Sequence, residues 1–279
     1  MKQIRVLDVS GNLITESGVE HLCNVLEKEL SLVELKQLKM SFNPIKSLKF
    51  ISGLCHSKSV ESLSMAGCEL TDATRLEQLK SLKAIDISYN FLNNEAFKTI
   101  LRSLNSDNIE TLTIERCSTE QNLGGSIALF VNCCFNLRAI NLAGLNFNEN
   151  EILEIIRALE KCDRLESLDL SNQKQLSFLT LKYLMFNMEN RSLAIVKLIG
   201  CRNLQSVSNM LHFNQNDAKL NQLRSFQLSL PNDASRDDFI EGLKALWDVV
   251  TAYRGRTNHD KSILHLIPSD DEREANFQF

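Results

Sequence analysis

The stretch "LDVSGN", from Leu7 to Asn12, returns in altered form along the chain. Its copies are "LKMSFN" at Leu38, "LSMAGC" at Leu63, "IDISYN" at Ile85 and "LDLSNQ" at Leu168. Each copy places apolar residues at alternate positions and then bends, which is typical of a short strand with one buried face. A unit repeated this often predicts stacked modules of one kind.

The copies belong to a longer pattern, L-x-x-L-x-L-x-x-N/C-x-L, which is the template of leucine-rich repeats. Nine units fit it, opening at Ile4, Leu35, Val60, Leu82, Ile109, Leu137, Leu165, Leu193 and Leu223. Their mean spacing is about 27 residues, within the range of such repeats. The sequence therefore predicts an α/β leucine-rich repeat solenoid, a ribonuclease-inhibitor-like horseshoe with parallel strands on its concave face and helices on its convex face.

One position of the pattern, here called the Asn slot, is filled by Asn12, Asn43 and Asn90. An Asn at this bend can satisfy backbone groups of neighbouring turns that would otherwise stay unpaired. Gln173 stands in the slot of the seventh repeat and Leu145 in that of the sixth. Cysteines fill it elsewhere, at Cys68, Cys117 and Cys201, and we expect these thiols to serve the same bend weakly.

Apolar residues at helical spacing predict helices between the strands. The clearest stripes are Val19, Leu22, Cys23, Leu26 and Leu30, then Phe97, Ile100, Leu101 and Leu104, then Ile152, Ile155, Ile156 and Leu159. Ser17 with Glu20 is expected to form a capping box for the first helix, and Asn148 with Glu151 for the last.

Two connections are expected to depart from this scheme. The third repeat opens at Val60 and the fourth at Leu82, and the short step between them predicts that the helix shrinks to a turn. The pair Gly124 and Gly125 is interpreted as part of a loop.

The two ends of the chain differ from its middle. Residues 1–234 are assigned to about nine repeats, and residues 235–279 to a C-terminal cap. The cap consists of a long helix from Ser235 to Tyr253 and a closing edge strand from Ser262 to Pro268. The first repeat begins at residue 4 without a preceding cap. Since an uncovered apolar end is a solubility liability, we expect a fragment or an upstream covering segment.

Composition and motifs argue against several classes of function. The net charge is −4, which does not suit a non-specific grip on the nucleic-acid backbone. No apolar run is long enough to span a membrane. The eight cysteines include no C-x-x-C pair and suggest reduced thiols of a cytosolic or nuclear protein. There is no P-loop, GxGxxG or GxSxG motif, and the five histidines lie in different repeats. We therefore expect no enzyme, no cofactor and no metal.

What remains is a surface made by the variable positions of the repeats. Just before the Asn slot stand Phe42, Tyr89 and Arg116, and such residues are enriched at binding hot spots. Within the strands, the candidate partner-binding residues are Asp86, Thr113, Asn141, Asp169 and Lys197. The alternative interpretation is that each aromatic ring covers the end of a neighbouring strand and that the acids lie on a solvated face.

The order of the repeats carries a resemblance to a known family. The segments "LKQLKMSFNPI", "LKAIDISYNFLNNEAFKTILRSL" and "LRAINLAGLNFNENEILEIIRALEKCDRLESLDLSN", with the later "LIGC" and "LRSFQLSLPNDASRDDFIEGLKAL", are similar to the C-terminal leucine-rich repeats of Tonsoku-like proteins. The resemblance spans nearly the whole chain. The family's segment after the third repeat is often longer than residues 71–79 of this chain.

The resemblance implies a nuclear, non-catalytic scaffold for replication-fork repair, homologous recombination and genome stability, at chromatin, with room for a cytoplasmic pool. It implies docking of the Mms-twenty-two-like repair protein and, through it, of the strand-exchange recombinase. Histone binding in the family belongs to upstream repeats that this chain lacks, so it is not transferred.

Three other interpretations stay open. One is an enzyme-inhibitor or sensor-type solenoid of the ribonuclease-inhibitor class, although the repeat steps here are less uniform than in that class. Another is a tropomodulin-like actin-binding solenoid. The last is direct nucleic-acid binding, which we expect to be weak. It would use a rim that carries Arg5, Lys36, Lys83, Arg138 and Arg224.

Overall fold

The computed structural model describes residues 4–28, 33–51, 59–71, 76–118, 122–186, 188, 190, 192–201, 204, 223–229, 240 and 263–267. The chain divides into two compact units. The first unit comprises residues 1–120 and 129–141, and the second comprises residues 121–128 and 142–279.

The strands of each unit run parallel and follow their order along the chain. The first unit contains β1 (Ile4–Asp8), β2 (Val33–Lys39), β3 (Ser62–Ser64), β4 (Ala84–Asp86), β5 (Thr111–Thr113) and β6 (Ala139–Asn141). The second contains β7 (Ser167–Asp169), β8 (Ile195–Leu198), β9 (Ser225–Ser229) and β10 (Ile263–Ile267). The register places equivalent repeat positions side by side, for example Leu63 beside both Leu38 and Ile85.

Helices follow several of these strands. They are α1 (Glu16–Lys28), α2 (Asn94–Ser103), α3 (Gly124–Val131), α4 (Glu149–Leu159) and α5 (Phe178–Phe186). In the short third repeat, the described residues hold only a 3₁₀ turn, Leu76–Gln78. The predicted shrinkage of that helix is confirmed.

The core is built from the repeated apolar positions. In the three-residue strands the central residue is buried and its neighbours are half-buried. Leu38, Leu63, Ile85 and Leu112 are at most 2% exposed. Each such side chain is stabilised by roughly 1.5–3 kcal/mol when it leaves water, which a single short repeat cannot achieve alone.

The predicted role of the Asn slot is confirmed. The Asn43 amide nitrogen donates to the carbonyl oxygens of Met40 (2.9 Å) and of Val9 in the preceding repeat (3.0 Å). Its oxygen accepts from the Ile14 N–H at 3.0 Å. Gln173 does the same work, because its Nε2 donates to the Leu142 carbonyl at 2.7 Å.

The slot cysteines behave as weak substitutes. The Cys68 thiol donates to the Met40 carbonyl at 3.2 Å, and the Cys201 thiol donates to the Leu170 carbonyl at 3.3 Å. Burial raises the pKa of Cys68 to about 11 and also raises the pKa of Cys117. A buried thiol with a raised pKa is a poor nucleophile, which suits a structural role.

Two local predictions are wrong. Helix α1 begins at Glu16, so Ser17 lies inside its first turn and is not the N-cap of a capping box with Glu20. Gly124 and Gly125 do not lie in a loop, since they are the first two residues of α3. The reason for the glycine at 124 is space, because a Cβ there would lie 2.4 Å from the Cβ of Glu151.

The capping box of Asn148 and Glu151 is confirmed at the start of α4. The Glu151 carboxylate also accepts from the backbone N–H of Gly124 at 2.8 Å. One buried acid therefore satisfies backbone donors at the beginning of both α3 and α4.

The ends of the chain are described in part. Strand β10 pairs in parallel with β9 where the closing strand is predicted. The predicted final helix lies outside the described residues apart from Ile240, and the boundary after residue 234 stays a prediction. In the first unit, Ile4 is 48% exposed, whereas the equivalent Leu35 is 1% exposed.

Candidate functional site

The residue just before the Asn slot is left-handed in each of the first eight repeats, the repeats in which this position is described. We call these residues the αL row. It comprises Gly11, Gly67, Gly144 and Gly200, with φ between 61° and 71°, and Phe42, Tyr89, Arg116 and Asn172, with φ between 46° and 58°. Four repeats thus use glycine, which adopts this conformation freely, and four use a residue with a Cβ.

Backbone pairing between repeats imposes the left-handed conformation. The N–H of Phe42 donates to the Ala66 carbonyl of the next repeat at 2.7 Å, and the N–H of Tyr89 donates to the Glu115 carbonyl at 2.9 Å. Glycines of the row make equivalent bonds. A residue other than glycine in this conformation costs roughly 1–2 kcal/mol, so the three bulky side chains need a compensating contact or a function.

The Phe42 ring lies on the next repeat. A Cβ at Gly67 would be 2.7 Å from its Cδ1, so glycine at 67 makes room for the ring. The ring covers its neighbour, as the alternative interpretation expects, yet Phe42 remains 44% exposed. Phe42 therefore combines packing with an exposed aromatic surface.

Tyr89 is held by a carboxylate of the next repeat. Its hydroxyl donates to Glu115 Oε1 at 2.6 Å, while the amide of Asn141 donates to Glu115 Oε2 at 3.3 Å. Burial, and then the bond to Glu115, raises the pKa of Tyr89 to about 12. The phenol is therefore neutral and fixed in direction at physiological pH.

Arg116 differs from the other half-buried cations of the described chain. Lys36, Lys98 and Lys197 each form an ion pair with a carboxylate. Arg116 is half-buried as well, but within the same described residues no hydrogen bond or ion pair engages its guanidinium. The positive charge of Arg116 lowers the pKa of Tyr89, but burial and the bond to Glu115 raise that pKa by more.

The strand acids serve the backbone of their own repeats. Asp86 Oδ1 accepts from the Ser88 N–H at 3.0 Å, and Asp169 Oδ1 accepts from the Ser171 N–H at 2.9 Å. The serines continue the pattern, because Ser88 Oγ accepts from the Glu115 N–H of the next repeat at 3.1 Å. The recurring Asp-x-Ser motif is therefore explained by these hydrogen bonds to the backbone.

The structure brings together only part of the predicted site. Asp86, Thr113 and Asn141 lie side by side on β4, β5 and β6 in the first unit, next to Tyr89 and Arg116. Phe42 lies two repeats earlier in the same unit. In the second unit, Lys197 forms an ion pair with Asp169 at 3.8 Å.

One aromatic residue escaped the sequence reasoning. Phe91 is 70% exposed and left-handed, with φ 49°, just after the Asn slot of the fourth repeat. Leu13, at the equivalent position of the first repeat, is 90% exposed. An apolar residue at a variable position beside the slot was the signal that could have identified both.

The rim of basic residues is interrupted by acids. Lys36 and Lys83 both bind the Glu61 carboxylate, at 2.6 Å and 3.0 Å. These bonds lower the pKa of Glu61. Such alternation leaves no continuous positive track on the described part of this rim, which weighs against a phosphate-backbone site.

The described residues do not form the other kinds of site considered next. Among the described residues, no cluster of three or more His, Cys, Asp or Glu side chains could hold a metal ion. No helix in that part of the chain combines the length and apolar character needed to cross a membrane.

Comparisons with known proteins agree with the repeat architecture. No family model matches the chain. It is 23% identical to the Tonsoku-like protein of Mus musculus over 253 residues, which cover 83% of this chain and 18% of that protein. For the Tonsoku-like protein of Danio rerio, the identity is 24% over 223 residues, which cover 72% of this chain and 16% of that protein.

Among solved structures, the leucine-rich repeat-containing protein LegL7 of Legionella pneumophila has a TM-score of 0.59 at 17% identity. That match covers 96% of this chain and 84% of LegL7, and it shows the fold alone. The chain spans less than a fifth of the curated relatives named above. The predicted resemblance is confirmed: this chain has an α/β leucine-rich repeat fold and is similar to a part of the Tonsoku-like proteins.

Proposed function

We propose that the chain is the partner-docking part of a nuclear complex for replication-fork repair and homologous recombination. The leucine-rich repeat fold and the Tonsoku-like relatives support a protein-interaction scaffold and point away from an enzyme. The observation that carries the proposal is the similarity to Tonsoku-like proteins of three species over 72–83% of this chain.

The proposed direct partner is the Mms-twenty-two-like repair protein, and the strand-exchange recombinase is the indirect one. The chain matches only 16–18% of its relatives, so partners of the whole relative enter here as part of the proposal. Chromatin and replication forks are the proposed location.

The proposed docking surface is the group of neighbouring side chains in repeats four to six. Tyr89 and Arg116 supply the residue types enriched at hot spots, and Asp86, Thr113 and Asn141 form the adjoining strand surface. Phe42 extends the surface toward the first repeats. In the second unit, Asp169 and Lys197 are proposed as separate candidate contacts.

The test is a titration of the purified chain with the purified Mms-twenty-two-like protein. Wild type is expected to bind, and Tyr89→Ala and Arg116→Ala are each expected to weaken binding about tenfold or more. Arg102→Ala, which removes an exposed arginine of α2, is the matched control and should bind like wild type. Unchanged affinity in both surface variants would reject this surface, and no binding by wild type would reject the partner.

A further inference from the structure

We propose that Arg116 is the anchor for an acidic peptide segment of the docked partner, whose carboxylate pairs with the guanidinium of this half-buried residue near Tyr89. The inference rests on the proposed function and specifies the chemistry of its docking surface. A guanidinium binds a carboxylate through two parallel hydrogen bonds, so a single Asp or Glu of the partner is sufficient.

The first support is the missing counter-ion. The half-buried Lys36, Lys98 and Lys197 are paired, whereas none of the described residues pairs with Arg116. Partial burial of an unpaired charge is unfavourable unless a partner arrives in the bound state.

The second support is that the neighbouring Glu115 carboxylate binds other side chains and not Arg116. Glu115 precedes Arg116 in the chain, yet Tyr89 and Asn141 occupy its two oxygens. The repeat therefore keeps an acid next to Arg116 without neutralising it. Tyr89 and Arg116 occupy equivalent positions of adjacent repeats, whose backbones lie about 5 Å apart. The bond from Tyr89 to Glu115 keeps the tyrosine ring on the Arg116 side.

The third support is the backbone conformation of Arg116. Its φ is 46°, at a position where four repeats of the row use glycine. Tyr89 gains a hydrogen bond and Phe42 gains a contact with Gly67, while Arg116 gains neither in the described part of the chain. An arginine that is strained and unpaired at once is explained by binding.

A peptide fits this surface better than a nucleic acid does. Asp86 and Glu115 lie near Tyr89, whose pKa both raise, and a strand of phosphates crossing Tyr89 and Arg116 would meet these like charges. A peptide needs only one carboxylate at Arg116 and can place apolar side chains against Tyr89. The chain's net charge of −4 also disfavours extended contact with phosphates.

The experiment is a selection of short random peptides displayed on phage against the full 279-residue chain. Wild type is expected to enrich peptides with Asp or Glu next to an apolar residue. Arg116→Gln should bind the best synthetic peptide at least about tenfold more weakly, and Arg116→Lys should bind it with intermediate affinity. Arg102→Gln removes the same charge from α2 and should bind like wild type.

Arg116→Gly separates binding from folding. It relieves the left-handed strain, so its unfolding midpoint should equal or exceed that of wild type while the peptide affinity falls. A lower midpoint for Arg116→Gly would mean that the arginine is structural and would overturn the inference.

Three further outcomes would overturn it as well. They are a selected set without acidic residues, equal peptide affinity in Arg116→Gln, and displacement of the peptide by single-stranded DNA at lower concentrations than by unlabelled peptide. The proposed partner is tested separately, because it is rejected when wild type does not bind the repair protein in the titration above.

Discussion

Replacing Asn90 by alanine tests the physical basis of the repeat stack. Asn90 is 3% exposed and fills the Asn slot of the fourth repeat. Its Nδ2 donates to the carbonyls of Met65 at 2.9 Å and Ile87 at 2.8 Å. Its Oδ1 accepts from the N–H groups of Cys68 at 2.9 Å and Leu70 at 3.1 Å.

A fifth, longer bond joins Nδ2 to the Ser88 carbonyl at 3.2 Å, and the four shorter bonds set the expected magnitude. Each buried hydrogen bond contributes about 1 kcal/mol net, so Asn90→Ala should lower the free energy of unfolding by about 4 kcal/mol. The matched control is Asn12→Ala, at the same slot of the first repeat. Asn12 is exposed, and within the described residues it donates to two carbonyls of its own turn, Val9 and Ser10. Because water can replace such exposed bonds, about 1 kcal/mol is expected for the pair.

The assay is urea unfolding followed by circular dichroism, combined with amide hydrogen exchange. Repeat proteins can lose cooperativity between modules, so exchange should show the damage concentrated in the third and fourth repeats. Asn90→Cys places a thiol there, as at Cys68, and should recover part of the loss. Equal losses in Asn90→Ala and Asn12→Ala would refute the reasoning that this side chain bridges neighbouring repeats.

Two further predictions concern other contacts. Gly124→Ala places a methyl group against Glu151 and should destabilise the chain by roughly 2–3 kcal/mol. In the control Gly125→Ala, the new methyl group meets nothing nearer than 3.9 Å, so this variant should be neutral or stabilising in thermal unfolding. Equal losses of stability in the two variants would contradict the steric argument. Tyr89→Phe removes the bond to Glu115 and should cost on the order of 1 kcal/mol at neutral pH. Since the folded-state pKa of Tyr89 is raised from 10.0 to about 12, the wild-type advantage should persist up to pH 10.0 and disappear as the pH rises toward about 12. A difference that stays constant across that range would show that the phenol does not titrate as described.

The sequence predicted the repeating parts of the fold well because their causes are local and periodic. Alternating apolar residues mark each strand, and Asn90 and Gln173 stand where a bend needs both a donor and an acceptor. The capping box of Asn148 and Glu151 was also predictable, since both partners lie within one helical turn.

The wrong predictions both concern the first residues of a helix. Two adjacent glycines indicate a loop by propensity, but the approach of Glu151 favours glycine at the first residue of α3. Ser17 matched an N-cap pattern that would start the helix at Gly18, but α1 begins two residues earlier, at Glu16. At Gly124 a local preference therefore lost to the packing of a neighbouring helix.

The sequence predicted the candidate site by residue type, and the structure then separated residues that share a surface from residues that hold the backbone. Tyr89 and Arg116 share one surface, and the aspartates of the strands prove to hold their own turns. Phe91 went unnoticed because a single exposed aromatic residue has no periodic signal in a sequence.

By itself, the sequence determined the repeat, its period, the buried face of each strand and the bend residue, because each depends on neighbours within a few positions. Only the tertiary structure decided which charges meet. Glu115 turns to Tyr89 and Asn141, and Arg116 is left without a partner among the described residues. Those choices depend on side chains that stacking brings together from successive repeats, about 27 residues apart in the chain, where no local pattern specifies the pairing.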